Sequence, residues 1–318
     1  MIGCSTYLFV HLVQTFLGAT IGVARQLLLQ LQLQLQLQQE LPNITSTSFS
    51  ILYVLINQKL RQITQKGKKM KLIKWNTNQA IEAYTVTKEL GDMSFNNDDK
   101  ELILKNRQHL AEILNTDLDH MVAPRQVHSA NFKEVTTTDG GKGMYVQETA
   151  FKDTDALYTK DANLYLLSFH ADCTPVLLYC PKTKIIAAIH SGWLGTTKQI
   201  VSKVTKHLIE HENCDPKTML AYIGPCICQD CLEVMDNVID LVKQMDFDTS
   251  PFYYQSDELH YQLDNKGLNK QMLLNLGLLE SNITVSPYCT VENDDLFYSY
   301  RKNKDSGRNI TIIKRILE

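Results

Sequence analysis

Two short apolar runs joined by one tight turn, with a metal-capable side chain at each outer end, constrain this chain more than any other feature. Residues 164–169 form a buried-type strand that runs into His170-Ala171-Asp172-Cys173. Residues 175–179 form a second strand, Pro181-Lys182-Thr183-Lys184 supplies a turn, and residues 185–189 form a third strand ending at His190. Runs this short and this continuously apolar, bounded by turn residues, read as strands buried on both faces. The pattern predicts a hairpin over 175–190 inside a layered structure, because a sheet buried on both sides needs a covering layer on each.

Around this hairpin, strands and helices are interleaved. Residues 72–75 and 83–86 read as strands. Residues 99–115 read as a helix capped by Asp98 or Asp99, with an apolar stripe of Leu102, Ile103, Leu110, Ile113 and Leu114. A strand is expected over 121–128, ending at His128. Ser191-Gly192-Trp193-Leu194-Gly195 leads into a helix over 196–211, where Ile200, Val204 and Leu208 recur every four residues. Further strands are expected over 219–223, 283–285, 296–300 and 310–313, and helices over 234–245 and 268–278. Hairpins mixed with crossovers argue for an α+β fold with mixed β-sheets in a single domain. Neither G-x-G-x-x-G nor a P-loop is present, and there is no internal repeat.

The first 69 residues read differently. Residues 1–25 are apolar, but no Lys or Arg precedes the apolar stretch, and His11 and Gln14 interrupt it. That is a poor export signal and a poor membrane span. Residues 30–39 alternate Leu and Gln, a low-complexity pattern. The expectation is that residues 1–69 are an N-terminal extension outside the fold, compatible with a translated upstream region, and that a catalytic domain spans 70–318 from Met70. A membrane-anchored N-terminus is the rival reading. With a net charge of −3 and a pI of 6.3, nothing favours nucleic acid or an anionic membrane as partner. Eight cysteines in a long chain without an export signal fit reduced thiols in a cytoplasmic setting.

His128, Cys173 and His190 stand out because each lies at or just past a strand end, where a rigid sheet presents side chains to a cleft. Two imidazoles and a thiolate suit zinc, and three protein ligands leave a coordination position free for chemistry. The bland alternatives stay open: a core cysteine before Pro175, and histidines that are merely hydrogen-bonded. Spacing alone does not bring the three together.

Three sequence blocks carry a resemblance: Arg125-Gln126-Val127-His128-Ser129, Ala171-Asp172-Cys173-Thr174-Pro175-Val176 and Ala188-Ile189-His190-Ser191-Gly192-Trp193. With Thr154-Asp155-Ala156-Leu157, Ile223-Gly224-Pro225, Phe297-Tyr298-Ser299-Tyr300-Arg301 and Gly307-Arg308, they resemble the YlmD/YfiH family, also called laccase domain-containing or polyphenol oxidoreductase-like proteins. The resemblance runs from about Lys71 to the C-terminus. It implies a four-layer α-β-β-α arrangement and one zinc ion, with copper as the alternative, at His128, Cys173 and His190. It also implies phosphorolysis of adenosine, inosine and S-methyl-5′-thioadenosine by phosphate, with adenosine deaminase activity beside it. A multicopper laccase would need many His ligands, largely as H-x-H pairs. This chain has nine His and no H-x-H.

Other residues enter as expectations. Asp172 is a candidate catalytic-site residue that orients a ligand, with a turn role as the alternative. Ser191 and Gly192 open a helix whose N–H groups are candidates for phosphate. Leu194 stands where the family usually has Arg, so another cation is expected to meet phosphate or substrate: Arg125, Lys198, Arg301 or Arg308. Cys226, Cys228 and Cys231 read as reduced thiols, with a second metal as the lesser alternative. Two rival functions remain at this stage: a metal-free cysteine hydrolase using Cys173 with His190 or His128 as base, and a non-catalytic binding protein that zinc stabilises.

Overall fold

The computed structural model describes residues 71–77, 79–96 and 99–317. The expected boundary at Met70, the extension 1–69 and the alternative cap Asp98 lie outside the described residues.

The described residues begin with an antiparallel pair, β1 (Leu72–Lys74) and β2 (Ile81–Val86), followed by helix α1 (Lys100–Ile113). Asp99 caps α1, its carboxylate accepting from the Leu102 amide at 3.0 Å. Short strands β3 (Met121–Val122), β4 (Phe132–Glu134) and β5 (Ala156–Thr159) lead to the hairpin region: β6 (Tyr165–His170), β7 (Thr174–Cys180) and β8 (Ile185–Ser191). Helices α2 (Trp193–Thr197) and α3 (Ile200–His211) follow. Then come β9 (Leu220–Ile223), β10 (Glu233–Met235), α4 (Asp236–Lys243), β11 (Tyr253–Gln255), β12 (His260–Leu263), α5 (Asn265–Asn275), β13 (Ile283–Val285) and β14 (Asn309–Arg315).

Among these elements one sheet has the order β1-β2-β14-β6-β3, a second β13-β9-β7-β8-β5-β4, and a small third β10-β12-β11. The expected hairpin is there: β7 and β8 pair antiparallel from Thr174↔Ser191 to Cys180↔Ile185. The period of two sorts each strand's residues between layers. Leu177 and Tyr179 of β7, with Ile186 and Ala188 of β8, face a core shared with Ile81, Ala83, Leu166 and Ile313 of the other sheet. Their alternates Val176, Leu178, Ile185, Ala187 and Ile189 face Ile200, Val204 and Leu208 of α3 and Leu268 and Met272 of α5. On the far side, Tyr165, Leu167, Ile310 and Ile312 pack on Leu110 and Ala111 of α1. The layers therefore run helix, sheet, sheet, helices, as expected.

Several elements depart from expectation. The strand expected over 121–128 stops at Val122, because Pro124 cannot donate to a ladder and His128 turns into the left-handed region at φ +60. The helix expected over 196–211 is two helices, broken where Gln199 takes φ +58. Residues 296–300 form no strand: the amides of Leu296 and Phe297 donate back to Asn293 O, and the Asn309 side chain bonds both the N–H and the C=O of Tyr298. A side-chain amide does there what a neighbouring strand would do. The helix expected over 234–245 begins only at Asp236, after the edge strand β10, and that expected over 268–278 is α5, which starts earlier at an Asp264 cap.

Candidate metal-bearing active site

β8 delivers His190 on the inter-sheet side at its last turn of pleat, opposite Pro175 of β7. Cys173 lies just before β7, after Asp172 at φ +79. His128 comes from the loop that leaves β3. The structure brings all three together: one ligand-type atom from each lies within 4.8 Å of the others. Cys173 Sγ is 3.7 Å from His128 Nε2, and the two imidazoles meet edge to face with centroids 4.9 Å apart.

One carboxylate organises this convergence. Asp155, just before β5, is 1 % exposed. Its Oδ1 accepts from His190 Nδ1 at 2.8 Å and from the His128 amide at 3.0 Å. Its Oδ2 accepts from the amides of Val127 and Ser129 and from the Ser129 hydroxyl at 2.7 Å. Asp155 thus fixes the His190 ring, directing Nε2 away from the carboxylate, and ties the His128 loop to the sheet. Burial pushes the Asp155 carboxyl up, but the bond to His190 and the Ser129 donors outweigh it and hold the group at about 2. Burial likewise opposes charge on Cys173, yet the neighbouring His190 and His128 bring its thiol down to about 6.

Gly192 completes the cradle for a steric reason. A Cβ there would sit 2.7 Å from Cys173 Sγ and 2.9 Å from His128 Cδ2. Its φ of −66 suits any residue, so space and not backbone freedom requires glycine.

The cluster opens onto a cavity of about 430 Å³ whose walls include Arg107, Arg125, Phe169, His170, Tyr300 and Arg308. A second cavity of about 450 Å³ shares His128, Cys173 and Tyr300 and adds Asp172, Ile227 and Arg301. Arg107, on α1, is only 2 % exposed, with its guanidinium donating to Met93 O, Gly143 O and Met144 O and stacked 4.0 Å over Phe95. Among the described residues no carboxylate forms a salt bridge with it. Burial lowers its pKa to about 9, which leaves it a cation at neutral pH.

The remaining expected site residues divide. Arg125 and Arg308 line the first cavity and Arg301 the second. Arg301 also donates to Glu233 O. Lys198 is committed to His128 O at 2.9 Å. Ser191 is fully buried with its hydroxyl 2.9 Å from Thr196 Oγ1, and neither Ser191 nor Gly192, whose N–H groups were the phosphate candidates, lines either cavity. Asp172 bonds Thr290 Oγ1 and the Arg301 amide and none of the three clustered side chains. The orienting contact expected of it is made by Asp155. The sequence pattern assigns no role to Asp155 and does not single out Arg107. The signal for Arg107 was its place on α1 in the buried stripe Ile103, Arg107, Leu110, Ala111, whereas the expected stripe members Leu102 and Ile113 are exposed. The cysteine expectation changes too: Cys228 and Cys231 cluster with Cys289, not with Cys226.

Comparison with known proteins fits this architecture. A family model described as multi-copper polyphenol oxidoreductase laccase matches residues 84–316. The purine nucleoside phosphorylase YlmD of Bacillus subtilis (strain 168) is 37 % identical over 212 residues, covering 66 % of this chain and 76 % of the relative. The crystal structure of YlmD from Geobacillus stearothermophilus superposes with a TM-score of 0.75 at 29 % identity, over 79 % of this chain and 98 % of that one. That of the hypothetical protein YfiH from Bacillus licheniformis gives 0.72 at 32 % identity, over 74 % and 92 %. The chain belongs to the YlmD/YfiH family. This YlmD/YfiH member has its two triads of metal-capable side chains among the described residues at His128–Cys173–His190 and Cys228–Cys231–Cys289. No described helix is long and apolar enough to cross a membrane.

Proposed function

We propose that the protein is a zinc-dependent purine nucleoside phosphorylase, acting on adenosine, inosine and S-methyl-5′-thioadenosine with phosphate as co-substrate, with adenosine deamination as an accompanying activity. The observation that carries this reading is the convergence of His128, Cys173 and His190 at the wall of a cavity that also holds the buried guanidinium of Arg107. The donor set fits zinc: two imidazoles and one sulfur, one imidazole oriented by a carboxylate, and a glycine leaving room beside the sulfur. When bound, the ion supplies Lewis-acid polarisation and charge neutralisation at the reacting oxygen. Copper is the alternative ion for the same donors.

In phosphorolysis a phosphate oxygen forms a bond to C1′ as the bond from C1′ to the purine nitrogen breaks, and the bond electrons leave with the base. The transition state carries positive charge on the sugar and negative charge on phosphate and purine. Arg107, Arg125 and Arg308 place guanidinium groups around the cavity where phosphate charge would be held. Arg107 is the one whose geometry is fixed in advance, by three carbonyls and the Phe95 ring. These cations take the place left by Leu194. The cavity volume is within the range of small-molecule sites, and Phe169 and Tyr300 offer ring surface to a purine.

Incubation of the full chain with adenosine, with and without phosphate, tests the proposal. Adenine and ribose 1-phosphate should appear only with phosphate, and Cys173→Ala should abolish them. Product formation by Cys173→Ala at the full rate would contradict the site. A second reading, a metal-free cysteine hydrolase, is favoured by one observation: Cys173 Sγ lies 3.7 Å from His128 Nε2, within reach of an imidazole base. Hydrolysis that survives chelation in full would select it.

A further inference from the structure

We propose that Cys228, Cys231 and Cys289 bind one thiophilic d10 ion, separate from the His128–Cys173–His190 cluster, and that this ion staples the loop that walls the second cavity to the loop that carries Cys289. Cys228 and Cys231 flank a single turn, with the amides of Cys231 and Leu232 donating back to Cys228 O. That C-x-x-C spacing directs two sulfurs to one side of the turn, as in many zinc sites. Cys289 arrives from a distant loop that bridges to the first through Cys226, and the Thr290 amide donates to Cys226 O at 3.1 Å.

The three sulfurs lie within 4.8 Å of one another, and all three thiols are free. Metal–sulfur bonds of about 2.3 Å set trigonal sulfurs about 4.0 Å apart, so small side-chain rotations bring them onto a common ion. The Cys228 amide donates to Cys289 Sγ at 3.3 Å, a contact that favours thiolate at that position. Among the described residues no fourth His, Cys, Asp or Glu joins the group. Three sulfurs suit Cu(I), and Zn(II) would complete its shell with water.

The location gives the ion a task. Asp172 accepts from the Ile227 amide through its backbone carbonyl and from Thr290 Oγ1 through its carboxylate. Both cysteine loops are therefore pinned to the residue next to Cys173. Ile227 and Leu232, on the first of them, line the second cavity. An ion here fixes that wall without touching the reacting atoms.

The test uses reduced, full-length Cys173→Ser protein, in which no thiolate remains at the other cluster. It is loaded anaerobically with Zn2+ or with Cu(I) in separate arms, then desalted. One equivalent of either ion should be retained, with sulfur-to-copper charge-transfer absorption in the Cu(I) arm. Adding Cys231→Ser or Cys289→Ser should remove that ion while circular dichroism stays unchanged. Cys231 is only partly buried, so its variant keeps the test valid if Cys289→Ser fails to fold. Retention of neither ion by Cys173→Ser protein would overturn the proposal. So would undiminished binding or absorption after Cys231→Ser, or a disulfide among the three in protein purified without oxygen. Because Cys173 is absent throughout, failure here is distinct from failure of the phosphorylase reading.

Discussion

At the residue scale, the active site depends on Asp155 as much as on the three clustered side chains. Five donors from two segments converge on its buried carboxylate. Replacing it leaves those donors unsatisfied and frees the His190 ring, so Asp155→Ala should cost about 3–5 kcal/mol in chemical denaturation. It should also release bound metal, read by elemental analysis. His170 gives a pH signature. It is 1 % exposed, its Nε2 is 2.9 Å from Thr311 Oγ1, and burial first, then His190, lowers its pKa to about 3. A histidine whose folded value lies below its unfolded value adds stability above about 6.5 and loses it as pH falls from there towards 3. Melting temperature should therefore decline through that window, and His170→Gln should flatten the decline. The sequence made His128, Cys173 and His190 visible because their residue types and strand-end positions are local facts. Asp155 stayed without a role because one carboxylate gathering distant amides leaves no periodic trace.

At the scale of elements, legibility followed burial. β7 and β8 are buried on both faces along their whole length, and continuous apolar runs mark such strands plainly. β10, β11 and β12 are three or four residues long and bury only Val234, Gln262 and Leu263 between them, too short a pattern for the sequence to mark. The segment 296–300 has strand composition, but an asparagine side chain satisfies its backbone. The break between α2 and α3 was hidden because Ile200, Val204 and Leu208 keep helical spacing whether or not the helix is continuous before them. Gln199 holds a left-handed conformation there at φ +58. Such a conformation costs a side-chain-bearing residue about 1–2 kcal/mol, and glycine in turn loses about 0.5–1 kcal/mol through its own chain entropy. Gln199→Gly should therefore leave stability unchanged or raise it by up to about 1.5 kcal/mol, measured by urea unfolding.

For the whole molecule, the layers meet at the site: His190 from one sheet, Cys173 from the connection out of the other, and Arg107 from the outer helix. A ligand binding there joins three layers, so metal binding should be linked to global stability. Chelation should lower the melting temperature and abolish phosphorolysis together, and zinc should restore both. A fall in melting temperature with turnover intact would assign the ion a structural role alone. The five-stranded sheet has a further property. Its interior strand β14 pairs on one side with β2, so that Ile310 meets Val86, and on the other with β6. During synthesis β2, already paired with β1, must wait for more than two hundred further residues before its second partner, β14, leaves the ribosome. Until then one apolar sheet half stands open to other nascent chains, and protection by a chaperone matters most in that interval.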